Sequence, residues 1–163
     1  KDEVQFNFLD EKKEEFFVVP EHFHTTDKID FRDIFKKKLY VHHTIYGIGA
    51  ATAGNYGVFW IAPLECTITE IRYVHQTAET TATAATLQIE KLTGTQALDA
   101  GVNCLSSAFN MKTIVANTVT TGTLTATVTD FRLVRGDRLA MKDTVTGTLT
   151  ELTNVTVVIE ITF

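Results

Sequence analysis

The stretch NVTVVIEITF, residues 154–163, is the clearest guide to the fold. Val155, Val157, Ile159, Ile161 and Phe163 alternate with Thr156, Val158, Glu160 and Thr162. Successive side chains of a β-strand point to opposite faces, so this period of two predicts a strand with one apolar face. The same period recurs upstream. Leu139 and Met141 alternate with Arg138, Ala140 and Lys142, and Leu87 and Ile89 with Gln88 and Glu90. Leu124, Ala126 and Val128 alternate with Thr123, Thr125 and Thr127, which predicts a strand with a threonine ladder on its outer face. Cys66 and Ile68 give way to Ile71 and Tyr73, and Ile89 gives way to Leu92, phase slips of the kind a β-bulge produces. Further strands are expected near 40–48 and 56–62.

About eight strands without intervening helical periods predict an all-β fold, an antiparallel β-sandwich of jelly-roll type. Composition agrees. The chain holds 28 Thr against 2 Ser and 2 Pro. Threonine is β-branched and suits a half-exposed pleated surface better than a helix interior. Leu98, Val102, Leu105 and Phe109 fit the sandwich poorly, and their spacing predicts a short helix in a long connection. The strings TVTTGTLT at 118–125 and TVTGTLT at 144–150 read as two similar turn-and-strand entries.

Charge divides the chain unevenly. Residues 1–39 hold 8 of the 15 Lys and Arg and 10 of the 20 Asp and Glu, while 40–163 is rich in Thr, Ala and Val. The break predicts an extended N-terminal arm over 1–39 and a β-sandwich domain over 40–163. Within the arm Val4, Phe6 and Phe8 alternate as in a strand, and Asp10 to Glu15 is a charged connection. Phe16 to Val19 is an apolar patch closed by Pro20. Residues 27–38 predict a short helix, acidic at its start and ending on Lys36, Lys37 and Lys38, which complements the helix dipole. Seven of the eleven phenylalanines lie between Phe6 and Phe35. Phe6, Phe8, Phe16, Phe17, Phe31 and Phe35 are therefore the candidate partner-binding residues, docked either on the chain's own sandwich or on a neighbour.

Chemistry-bearing patterns are scarce. Ser106 and Ser107 lack a G-x-S-x-G setting, and no P-loop, dinucleotide fingerprint, H-E-x-x-H or EF-hand spacing occurs. No catalytic residue, metal ligand or cofactor-binding residue is expected, and the chain reads as a non-enzyme. His22 and His24 share one face of an extended segment, but Lys28 stands where a cupin-type site would place its Glu. His42 and His43 would point to opposite faces of a strand. Cys66 and Cys104 read as two buried free thiols or as one disulfide. Arg135-Gly136-Asp137 spells an adhesive tripeptide, but Gly-Asp stands where the chain requires a tight turn. Trp60 sits inside the apolar run VFWI, which favours burial over display to a sugar. A net charge of −5 speaks against nucleic acid, which a basic stripe would bind, and against a polybasic membrane anchor. No apolar run approaches the length of a membrane span, and no small-molecule substrate is expected.

The strings TLQIEKLTGTQALDAGVNCLSSAFNMK at 86–112, ANTVTTGTLT at 116–125 and GDRLAMKDTVTGTLT at 136–150 resemble a segment of structural proteins of tailed bacteriophages. Those are small β-sandwich components of the virion, of capsid decoration (cement) or head-fibre type. The resemblance covers residues 83–150 and carries no functional residue with it. It implies a capsid-surface location, with the major capsid protein and copies of the same chain, commonly three, as partners. Alternatives are a head-fibre, tail or receptor-binding component, or a carbohydrate-binding module.

Overall fold

In a computed structural model, which describes residues 7–9, 15–17, 38–48 and 55–163, the chain divides into two units, Lys1–Phe35 and Lys36–Phe163. The first contains β1 (Asn7–Leu9) and β2 (Glu15–Phe17), an antiparallel pair. The helix expected at 27–38 lies outside the described residues up to its last position. Lys38 opens β3 (Lys38–Ile48) and stands opposite Thr162, so Lys38 and Leu39 are part of the sandwich.

The second unit continues with β4 (Asn55–Ile61), β5 (Cys66–Val74), β6 (Ala84–Leu92), β7 (Val102–Asn103), β8 (Phe109–Asn110) and β9 (Thr120–Thr121). A four-residue helix α1 (Val128–Phe131) precedes β10 (Arg132–Leu133), β11 (Arg138–Thr146) and β12 (Thr153–Thr162). Two antiparallel sheets result. One has the order β10-β5-β12-β3 with β9 also beside β5, the other β4-β11-β6-β7 with β8 also beside β6. The pairings nest: β3 with β12, β4 with β11, β5 with β10. The chain thus folds as a long hairpin whose arms pass from one sheet to the other together. Both sheets contribute to a single core, with Ile68, Ile71, Tyr73, Val157 and Ile159 from one and Leu87, Ile89, Leu139 and Met141 from the other. This is an all-β sandwich.

The alternation at 154–163 is realised in β12. Val155, Val157, Ile159 and Ile161 are buried, and each contributes roughly 1.5–3 kcal/mol of hydrophobic stabilisation. The slip in β5 is a bulge: Glu160 stands opposite Glu70 and Ile161 opposite Ile68, which leaves Thr69 as the extra residue. The slip in β6 is not a bulge, because its register with β11 runs unbroken from Leu92↔Arg138 to Ala84↔Thr146. Leu92 shares the face of Gln88 and Glu90, and the segment after it covers that face. Glu90 accepts the amides of Asp99 (2.8 Å) and Gly101 (3.2 Å), and Gln88 is bonded to the Leu105 backbone. Both faces of β6 are therefore buried.

Two further expectations fail for the same reason, that backbone partners override a local pattern. Residues 98–109 form no helix. Leu98 and Val102 are exposed, Leu105 and Phe109 are buried, and β7 and β8 pair with β6 instead. The expected threonine-faced strand at 123–128 is reduced to a bridge between Leu124 and Leu105, after which the chain turns into α1.

Candidate functional site

Of the six candidate contact residues, Phe8 lies on β1 and Phe16 and Phe17 on β2. Phe8 stands opposite Phe16, and Phe17 opposite Asn7. Phe6, Phe31 and Phe35 lie outside the described residues. The short ladder thus brings three of the six together on one small element.

In the sandwich, Glu79 and Glu160 are carboxylates that hold the fold. Glu79 sits in the connection between β5 and β6. Its Oε1 accepts the Thr81 and Ala82 amides (2.9 Å each) and the Thr81 hydroxyl (2.5 Å). Its Oε2 accepts the amides of Thr150 (3.0 Å), Glu151 (3.1 Å) and Leu152 (3.3 Å) from the connection between β11 and β12. Desolvation alone would raise its pKa, but these donors outweigh it and hold the carboxyl at about 2. Two loops about 70 residues apart in sequence are fastened by one side chain.

Glu160 plays a comparable part on the outer face of the β10-β5-β12-β3 sheet. The hydroxyl of the bulged Thr69 donates to it at 2.7 Å, Lys38 Nζ at 2.9 Å and the Tyr40 hydroxyl at 3.0 Å. The Thr69 bond first, then Lys38 and Tyr40, hold its pKa at about 2 against the opposing effect of desolvation. The bulge therefore aims a donor at Glu160, a re-aiming that a regular strand would not give.

His43, His75 and both cysteines are likewise held within the body of the fold, while His22 and His24 lie outside the described residues. His43 stacks on Phe59 with ring centroids 5.3 Å apart, while neighbouring His42 is exposed, as their places on one strand dictate. His75 is buried with Nδ1 2.8 Å from the Tyr73 hydroxyl, and burial pushes its pKa down. Cys66 and Cys104 are both free and buried, with pKa values pushed up to about 11 and about 12, chiefly by desolvation. Among the described residues no group of three or more His, Cys, Asp or Glu is placed to hold a metal. Trp60 packs against the core.

The Arg135-Gly136-Asp137 tripeptide forms the expected tight turn. Gly136 takes φ +92°, which favours glycine, and the Asp137 amide donates to Val134 O at 3.0 Å. The Asp137 carboxylate is buried and accepts the Val134 amide at 3.0 Å. An adhesive reading would require that carboxylate to face outward, so the tripeptide serves the turn.

Compared with protein-family models, with curated proteins and with solved structures, the chain matches none of them.

Proposed function

We propose that this chain is a non-enzymatic structural protein of a tailed-phage virion. In this reading it is a capsid decoration (cement) protein that binds the head surface through protein–protein contacts and stabilises it. The strand order, with β3, β4 and β5 nested against β12, β11 and β10, supports a jelly-roll assignment for the sandwich. The observation that carries the functional reading is the use of the polar side chains. Glu79, Glu90 and Glu160 are bonded to backbone and neighbouring side chains in a way that stiffens the body. The chain also carries a separate N-terminal unit rich in phenylalanine. A rigid block with an adhesive extension is what fastening to a pressurised shell requires.

Self-association into a trimer belongs to the same proposal. β3 and β4 each form one edge of their sheets and are paired on one side only among the described residues. Exposed edges invite pairing with other chains unless covered, and a closed oligomer covers them. The test is to add purified protein to expanded phage heads and follow the temperature at which they disrupt. Saturating protein should raise it, and replacing Phe16 and Phe17 with Ala should remove the gain while circular dichroism shows the sandwich intact. Heads that disrupt at the same temperature with and without the protein would overturn the reading.

A further inference from the structure

At one end of the sandwich lies an open cleft of about 420 Å³. Its walls come from the β4–β5 connection (Glu65), the end of β6 (Lys91, Thr93), and the region from α1 to the 134–137 turn (Arg132, Val134, Asp137). Lys91 is the unusual member. It is only 8% exposed, and its ammonium donates to the carbonyl oxygens of Thr129 and of Arg132, the latter at 3.1 Å, where the chain leaves α1. Among the described residues no carboxylate forms an ion pair with it. A lysine ammonium has three donors, and two are used. Lysine is rarely this buried without a charged partner, because a desolvated charge is costly unless it is paired.

The other cation of the cleft is held loosely. Arg132 is paired with Glu65, its Nε 2.8 Å from Oε1, but both side chains are more than half exposed. Such a pair is worth little and exchanges readily. Val134 adds an apolar wall, and Ile61, Leu64 and Val128 are exposed on the neighbouring segments. The Ala62 amide bonds Asp137 O at 2.8 Å, which keeps Ile61 beside the turn.

We propose that this cleft binds the carboxylate of an acidic peptide segment from another protein, one with an apolar residue next to its Asp or Glu. The carboxylate pairs with Lys91 and draws Arg132 from Glu65, and the apolar neighbour packs on Val134 and the residues around it. Charge complementarity selects the occupant. The buried ammonium has no ion-paired carboxylate among the described residues, and the Asp137 carboxylate in the same wall is engaged by the Val134 amide. An exchangeable guanidinium and an apolar rim flank the site. This inference does not depend on the virion reading, since any partner with such a segment would serve.

The test titrates the ¹⁵N-labelled full chain with acetyl-Glu-Glu-Phe-Phe-amide and with its Gln-Gln counterpart, and maps the amide shifts. The Glu peptide should shift amides around Lys91, Arg132 and Val134, and the Gln peptide should bind about tenfold more weakly, as loss of a charge-assisted bond implies. Glu65→Gln frees Arg132 at an exposed position and should tighten the Glu peptide about threefold or more. Lys91→Met should abolish the preference for Glu over Gln; if that variant does not fold, Glu65→Gln decides alone. Equal binding of the two peptides, shifts that map away from the cleft, no shifts at millimolar peptide, or an unchanged affinity in Glu65→Gln would each overturn the proposal.

Discussion

Residues 118–125 and 144–150 carry nearly the same string, TVTTGTLT and TVTGTLT, yet they occupy different kinds of structure. In the first, Thr120 and Thr121 form the two-residue strand β9 on β5, and Val119 is 63% exposed. In the second, Val145 lies in the long strand β11 and is 6% exposed. The glycines differ most. Gly122 has an ordinary backbone, but a Cβ there would lie 2.6 Å from Leu105 Cδ2 and 2.8 Å from Phe109 Cζ. Gly147 has room for a Cβ but takes φ +93°. One glycine is needed for space and the other for conformation. Similar words therefore do not make equivalent elements; the neighbours that each copy meets decide.

The sharpest way to break this comparison is at its leucines. Leu149 is fully buried, so Leu149→Ala should cost about 2–5 kcal/mol. Leu124 only packs against the core from a half-buried position, and Leu124→Ala should cost about 1–2 kcal/mol. Equal shifts in urea midpoint for the two would contradict the assigned burial. The glycines come next. Gly122→Ala should cost about 1–3 kcal/mol through overpacking, and a Leu105→Val background should recover part of that loss. Gly147→Ala should cost about 1 kcal/mol, and the same background should leave it unchanged. A double-mutant cycle with no coupling at Gly122 would show that space is not its constraint.

A further difference separates the two copies by pH. The second copy ends on Thr150, whose amide is held by Glu79, whereas the first has no such anchor among the described residues. The Glu79 carboxyl is held at about 2, below the unfolded value of about 4.3. Its stabilisation is therefore complete above the unfolded value and is lost as pH falls from about 5 towards 2. Glu79→Gln should lower stability near neutrality by about 1–3 kcal/mol and flatten the acid limb. Denaturant midpoints across that window check both, and an acid limb as steep as that of the parent would show that the titration lies elsewhere.

Much of the sandwich was legible before its structure. β12, the Thr69 bulge in β5 and the turn around Gly136 follow from residues close in sequence, because strand period and turn conformation are local properties. The misreadings share a cause. Residues 98–109 have a helical spacing of apolar side chains, but two of the four are exposed and the other two are buried through contacts that spacing does not encode. The alternation at 123–128 lacks a strand to pair with along its length. Lys91, Glu65 and Arg132 are scattered through the sequence, and no local pattern joins them.

By itself, the sequence determined the β character, the alternating core residues of the long strands and the places where a strand must bend or turn. These depend on side-chain direction and backbone preference, which act over a few residues. Only the tertiary structure decided which strands pair and which outer faces are covered. It also decided that Glu79 fastens two distant loops and that Lys91 lies buried in a cleft with no ion-paired carboxylate among the described residues. Each of those depends on segments tens of residues apart meeting in space, where burial and hydrogen-bond partners outweigh local preference.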